Sequence, residues 1–134
     1  MYKSSIPISW RQNRSRYRLI ATKCLNCNTI YFPPRSMCPD CRRKSKIEEL
    51  PLSGEGEVFT YTIIYTAPVG FEEHVPYMIA IIKAKEGVLI TGQIVSPFDK
   101  ITIGSKVEMV FRKISEDGEA GIINYGFKFA LKEE

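Results

Sequence analysis

The sequence holds four cysteines, arranged as Cys24-Leu25-Asn26-Cys27 and Cys38-Pro39-Asp40-Cys41 with ten residues between the pairs. Two residues between ligands let the chain turn once, so both sulfurs of a pair face one point, and two such knuckles gather four thiolates around a tetrahedral cation. Zinc prefers that sulfur-rich set. A site filled by Cys24, Cys27, Cys38 and Cys41 leaves no position open for water or substrate, so the expected zinc is structural and folds the chain without doing chemistry. Two disulfides would need an oxidising compartment, and no apolar N-terminal export segment precedes them. Iron in a rubredoxin-like site would use the same ligands, but nothing else in the sequence points to electron transfer.

The knuckles need strands to hold them. From Tyr17 to Lys23 apolar and polar residues alternate, with Tyr17, Leu19 and Ala21 on one face, which predicts a strand into the first knuckle. Asn28 follows that knuckle and tolerates left-handed backbone well, while Pro39 pre-sets the second. Ile30, Tyr31 and Phe32 leave as a second strand, which Pro33 and Pro34 end, placing Arg35 on a rigid extended turn. Before the ribbon, Pro7 suits a first helical position and Ile8 to Asn13 predicts one or two turns around Trp10. Trp10, among arginines, reads equally as a partner anchor or as a cap on the ribbon's small core. After the ribbon, Glu48 to Ser53 reads as a linker. The expected organisation is a helical segment over 1–16, a zinc ribbon over 17–47 and a β domain over 48–134.

That last part is β throughout. Val58 to Thr66 is a run of β-branched and aromatic residues, apolar on both faces, and is expected to be buried on one face and covered or ligand-facing on the other. Tyr77 to Ala84 and Val88 to Val95 flank a turn at Gly87, and Val107 to Ile114 and Ile122 to Leu131 flank Asp117-Gly118. Five strands with a long first one and an interior Gly92 that marks a bend fit a five-stranded OB-fold barrel. The expected class is therefore mostly β. A ribbon and a barrel folding separately would let Cys38→Ser unfold the first and spare the second.

Charge is divided unevenly. Residues 1–47 carry eleven Lys or Arg against Asp40 alone, a balance of +10, whereas eight basic and fourteen acidic residues from Glu48 onward give −6, which together make the net +4. The N-terminal third is therefore expected to meet something anionic. No apolar run approaches the ~20 residues that cross a bilayer, and a cytoplasmic protein is expected. An independent enzyme is not. The cysteines are committed to metal, the single histidine, His74, stands in Glu72-Glu73-His74 without a nucleophile motif, and Gly104-Ser105-Lys106 lacks the leading glycine of a phosphate loop.

The two C-x-x-C pairs with Tyr31-Phe32-Pro33-Pro34-Arg35 between them, then Gly54-Glu55-Gly56-Glu57-Val58 and Val75-Pro76-Tyr77, resemble the acyl-CoA-associated zinc-ribbon plus OB-fold proteins. Such proteins have an N-terminal helical segment, a rubredoxin-like ribbon and an OB barrel, and work beside thiolases and related condensing enzymes. Where they usually have Gly after each knuckle, this chain has Asn28 and Arg42. The resemblance implies a non-catalytic acyl-CoA-binding scaffold in lipid metabolism, partnered with a thiolase or condensing enzyme. CoA joins phosphates to an apolar arm, so its site pairs cations with an apolar slot. Arg35, with Arg42, Arg43, Lys44 and Lys46, is the candidate set for the phosphates, and Phe59 and Tyr61 for the arm. The alternative is a single-stranded nucleic-acid module stacking bases on Phe59, Tyr61 and Tyr125, which the acidic barrel disfavours because phosphate tracking needs a positive channel.

Overall fold

The computed structural model describes residues 5–133. Helix α1 spans Ile6–Arg18, with Pro7 in its first turn, where a missing N–H leaves no bond unmade. It runs further than the Ile8 to Asn13 reading because Arg16 and Arg18 place cations at its carbonyl end and Tyr17 docks on the barrel, its ring edge-on to Phe111 at 5.1 Å. Tyr17 is thus helical, not the start of a strand. Leu19 then stops the helix in left-handed backbone, φ 52°. That conformation costs a non-glycine residue roughly 1 kcal/mol, and it turns Leu19 into the core, where it is 1% exposed.

Strand β1 (Ile20–Cys24) lies between β2 (Ile30–Tyr31) and β3 (Ile47–Pro51) in a three-stranded sheet. The stretch read as a linker is therefore mostly strand. Glu48 pairs with Lys23 and Leu50 with Ala21, so its charges lie on an edge strand that stays solvated, with one pair of opposite charge across the ladder. The ribbon sheet ends at Pro51 and the barrel begins at Glu55.

Strands β4 (Glu55–Ile64), β5 (Tyr77–Ala84), β6 (Leu89–Ile94), β7 (Lys106–Glu116) and β8 (Ile123–Leu131) form a closed barrel in the order β4-β5-β6-β8-β7. Antiparallel ladders make most of it, and one parallel contact, Ile94 with Phe129, closes it. Within β4 only Val58 is fully buried. Beyond Glu57 that strand pairs with β5 alone, and Phe59 and Tyr61 are exposed, so of the two expectations for its outer face, covered or ligand-facing, the described residues provide no full cover. No helix among the described residues is long and apolar enough to cross a membrane.

The barrel core of Val58, Met78, Ile82, Ile90, Ile94, Val107 and Phe129 also takes in Leu19, Ala21 and Leu52 from the ribbon side. An aromatic chain continues it, Phe32 meeting Phe127 at 5.5 Å and Phe127 meeting Phe129 at 5.9 Å, both edge-on. Gly92 belongs to this packing. A Cβ there would come within 2.7 Å of the Phe129 ring, so glycine serves close approach as well as curvature. With burial shared in this way, ribbon and barrel are expected to unfold together, as an alternative to the separate unfolding read from the sequence. Leu19→Ala should cost about 2–5 kcal/mol and Gly92→Val about 1–3 kcal/mol. Urea unfolding followed by circular dichroism should show one transition moved to lower denaturant in each case.

Candidate functional site

The two knuckles adopt the same local structure. Asn28 N–H donates to Cys24 O at 2.7 Å and Arg42 N–H to Cys38 O at 2.9 Å, and both donors have left-handed backbone, φ 60° and 49°. The residues that replace the usual glycines thus take glycine's conformation. Strand β1 delivers Cys24 from one side, and Cys24 N–H donates to Thr29 O at 2.9 Å to close the first loop.

The four Sγ atoms lie within 4.8 Å of one another, Cys27 and Cys38 at 3.5 Å. Tetrahedral thiolates about 2.3 Å from zinc would stand about 3.8 Å apart, so the cluster fits a structural zinc ion. Cys24 and Cys38 are buried, Cys41 partly so, and Cys27 exposed. The surroundings suit charged sulfur. The backbone N–H of Cys27 brings the Cys24 thiol down to about 6. Tyr31 hydroxyl, 3.3 Å from Cys38 Sγ, lowers that thiol in turn, and its own phenol is pushed up to about 12 by the same contact. Asn26 Nδ2 donates to Cys41 Sγ at 3.1 Å and favours that thiolate, yet burial and the three neighbouring sulfurs together push Cys41 up to about 12. Crowded thiols resist the last ionisation, and a dication supplies the charge that lets all four sit as thiolates. Spacing identified the cysteines, but Asn26, Thr29 and Tyr31 gave no sequence signal, since hydrogen bonds to sulfur follow from the folded loop.

A cleft of about 700 Å³ lies where α1, the ribbon and the barrel meet. Arg11, Arg14 and Arg16 line one wall, and Phe32, Pro33, Pro34, Leu89 and Phe127 make much of the rest. Glu49 of β3 takes Arg14 in two contacts of 2.8 and 3.0 Å, an exposed pair worth at most about 1 kcal/mol that ties α1 to the ribbon.

None of Arg35, Arg42, Arg43, Phe59 and Tyr61 lines this cleft. Arg35 lies over the Tyr31 ring, its guanidinium carbon 4.9 Å from the centroid, and its N–H donates to Thr22 Oγ1 at 3.0 Å. Arg42, Arg43 and Lys44 form an exposed turn after the second knuckle. Phe59 and Tyr61 are exposed on β4. The structure brings the four cysteines together, while the other candidates stand outside this cleft. His74 is exposed in its loop, its ring 5.6 Å from Phe71.

Residues 11–46 match the family description "ChsH2, rubredoxin-like zinc ribbon domain" and residues 49–112 match "ChsH2, C-terminal OB-fold domain". A DUF35 domain-containing scaffold protein of Methanocaldococcus jannaschii is 54% identical over 123 residues, covering 90% of this chain and 86% of that one. The chain belongs to the DUF35 family. A further relative is the benzoylsuccinyl-CoA thiolase subunit BbsA of Geobacter metallireducens, 27% identical over 79% of this chain and 70% of that protein. Among solved structures the Ltp2-ChsH2(DUF35) aldolase matches with a TM-score of 0.69 and 25% identity, over 97% of this chain and 96% of that one. The DUF35 fold accounts for the N-terminal helix, the ribbon and the barrel as observed.

Zinc should therefore stay bound at neutral pH and leave on acidification. A thiol held near 6 stays ionised above that value and takes up a proton as pH falls through it, and bound metal moves the loss lower still. Release measured with a chromogenic chelator should begin below about pH 6. Cys38→Ser should lose the metal and shift the unfolding midpoint of the whole chain.

Proposed function

We propose that this chain is a non-catalytic scaffold that joins a thiolase-type condensing enzyme and presents acyl-CoA to it, with one zinc held by Cys24, Cys27, Cys38 and Cys41 keeping the ribbon folded. The observation that carries the reading is the match to a relative named as a DUF35 scaffold protein over 90% of this chain, supported by the likeness to a thiolase subunit over 79% of it and to the Ltp2-ChsH2(DUF35) aldolase structure over 97%. The charge division agrees with it, since the basic third supplies α1 and the ribbon while the barrel side is acidic.

The cleft is the better home for CoA than the set expected from sequence. Its arginines would take the nucleotide phosphates, and Phe32, Pro33 and Phe127 offer an apolar wall to the pantetheine arm. Phe32 and Pro33 come from the same Phe-Pro-Pro-Arg stretch that singled out Arg35, so the motif contributes its apolar part to the cleft. Arg35 keeps its place near the rim of that stretch as a secondary candidate.

Calorimetric titration of CoA tests this. Arg11→Ala with Arg16→Ala should weaken binding about tenfold or more, the loss of two charge-assisted contacts, whereas Arg35→Ala should change it less. Raising salt to about 0.5 M, where the Debye length is roughly 4 Å, should weaken the wild type. Equal affinity in all three proteins would remove the cleft from the proposal. Co-expression with the condensing enzyme of the source organism should give a stable complex, and recovery of nucleic acid in its place would overturn the scaffold reading.

A further inference from the structure

Trp10 is the single tryptophan of the chain and is 77% exposed. It caps no core. Nothing in α1 is fully buried, yet Ile6, Trp10, Asn13 and Tyr17 recur at helical spacing on one stripe. At the C-terminal end of the stripe Tyr17 meets Phe111 edge-on at 5.1 Å, and Phe111 stacks on Tyr125 at 5.3 Å with the rings 11° apart. Phe111 and Tyr125 are themselves exposed, as are Ile6 and Ile123. Apolar side chains thus extend from the helix onto the β7–β8 hairpin, with Tyr17, Phe111 and Tyr125 in contact with one another and Trp10, Phe111 and Tyr125 open to solvent.

The rim of this apolar face is cationic. Helix α1 carries Arg11, Arg14, Arg16 and Arg18 and no acid, and among the described residues only Arg14 has an acidic partner, Glu49. Two copies of α1 laid face to face would set these cations against each other, so the face is not suited to symmetric self-pairing. It suits an acidic surface with an apolar centre. Exposed Trp and Arg on a preformed helix are the residue types that dominate binding energy at interfaces.

We infer that the stripe Ile6-Trp10-Tyr17, continued by Phe111 and Tyr125, is the face on which the condensing enzyme docks, through an apolar groove edged with carboxylates. This rests on the scaffold reading and specifies where its partner sits. The same helix forms a wall of the arginine-lined cleft, so an enzyme seated on α1 stands beside that cleft. Neither Trp10 nor Arg18 lines the cleft, which separates docking from ligand binding.

The test uses the full-length chain and the thiolase-type enzyme of its source organism, co-expressed and then measured by surface plasmon resonance with purified components. Trp10→Ala should weaken the complex at least about 30-fold, in the range of an interface hot spot. Arg18→Glu should slow association and flatten its salt dependence. Both variants should keep full zinc content, wild-type circular dichroism and wild-type CoA affinity, because neither side chain is buried. Labelling Trp10 with 5-fluorotryptophan should give one resonance that shifts and broadens when the enzyme is added. A wild-type complex that both variants form with unchanged affinity overturns the docking face and leaves the scaffold reading standing. No complex with the wild type overturns both. Binding of the wild type to vesicles of equimolar phosphatidylglycerol and phosphatidylcholine, lost in Trp10→Ala while enzyme affinity is kept, assigns the stripe to a membrane and overturns the inference. A dimer of the wild type alone that Trp10→Ala dissolves does the same in favour of self-association.

Discussion

Leu19, Ala21 and Leu52 enter the same apolar interior as Met78, Ile82 and Phe129, and the two halves of the molecule depend on that shared burial. A three-stranded ribbon sheet of this size has little interior of its own. Its metal site fixes the loops, but the far side of the sheet must lie against something, and the barrel supplies it. The left-handed backbone at Leu19 follows from the same demand. By reversing direction there, the chain sends one side chain inward and sets α1 across β7 and β8, so a local cost in φ is offset by burial of a whole leucine.

That arrangement also makes the cleft. Its walls come from the helix, from the Phe-Pro-Pro turn of the ribbon and from β6 and β8, segments far apart in sequence. Here the geometry arises from thiolates that lock the ribbon loops, an ion pair from Arg14 to Glu49, and an aromatic chain from Phe32 through Phe127 to Phe129.

What could be read from sequence divides along the range of the interactions. The sulfur cluster is local, since two residues between ligands dictate a turn, and so the four cysteines were visible at once. Asn28 likewise declared its left-handed backbone. The barrel strands showed as β-branched and aromatic runs between turn residues, and Tyr77 to Ala84 matches the strand found there. Strand β3 did not, because Glu48 and Glu49 look like a solvated linker until Lys23 and Thr22 pair with them. Tyr17 alternated like a strand residue because the end of a helix and the start of a strand share apolar spacing over so few positions. The cleft itself could not be read from sequence for a longer-range reason. Phe59 and Tyr61 have barrel-strand character whichever way they face, and only the folded chain shows them exposed on β4. Arg11, Arg14 and Arg16 registered as charge, with nothing to say that the helix folds back to make them a wall.

The closure of the barrel has a consequence for how the chain is made. The ladder between β6 and β8 is one parallel step, Ile94 with Phe129, reinforced by Val95 N–H to Phe129 O at 2.9 Å and by Leu131 N–H to Ser96 Oγ at 2.7 Å. During synthesis from the N-terminus the ribbon sheet is complete by Pro51 and the β4–β5–β6 meander by Ile94, while β8 follows as the last strand of the barrel. Until it arrives, β6 presents an open edge of unpaired backbone groups, and the core has no Phe129 to fill it. The chain therefore passes through a stage in which its most apolar strands are formed but unsealed, and the arrival of β8 closes the barrel over them.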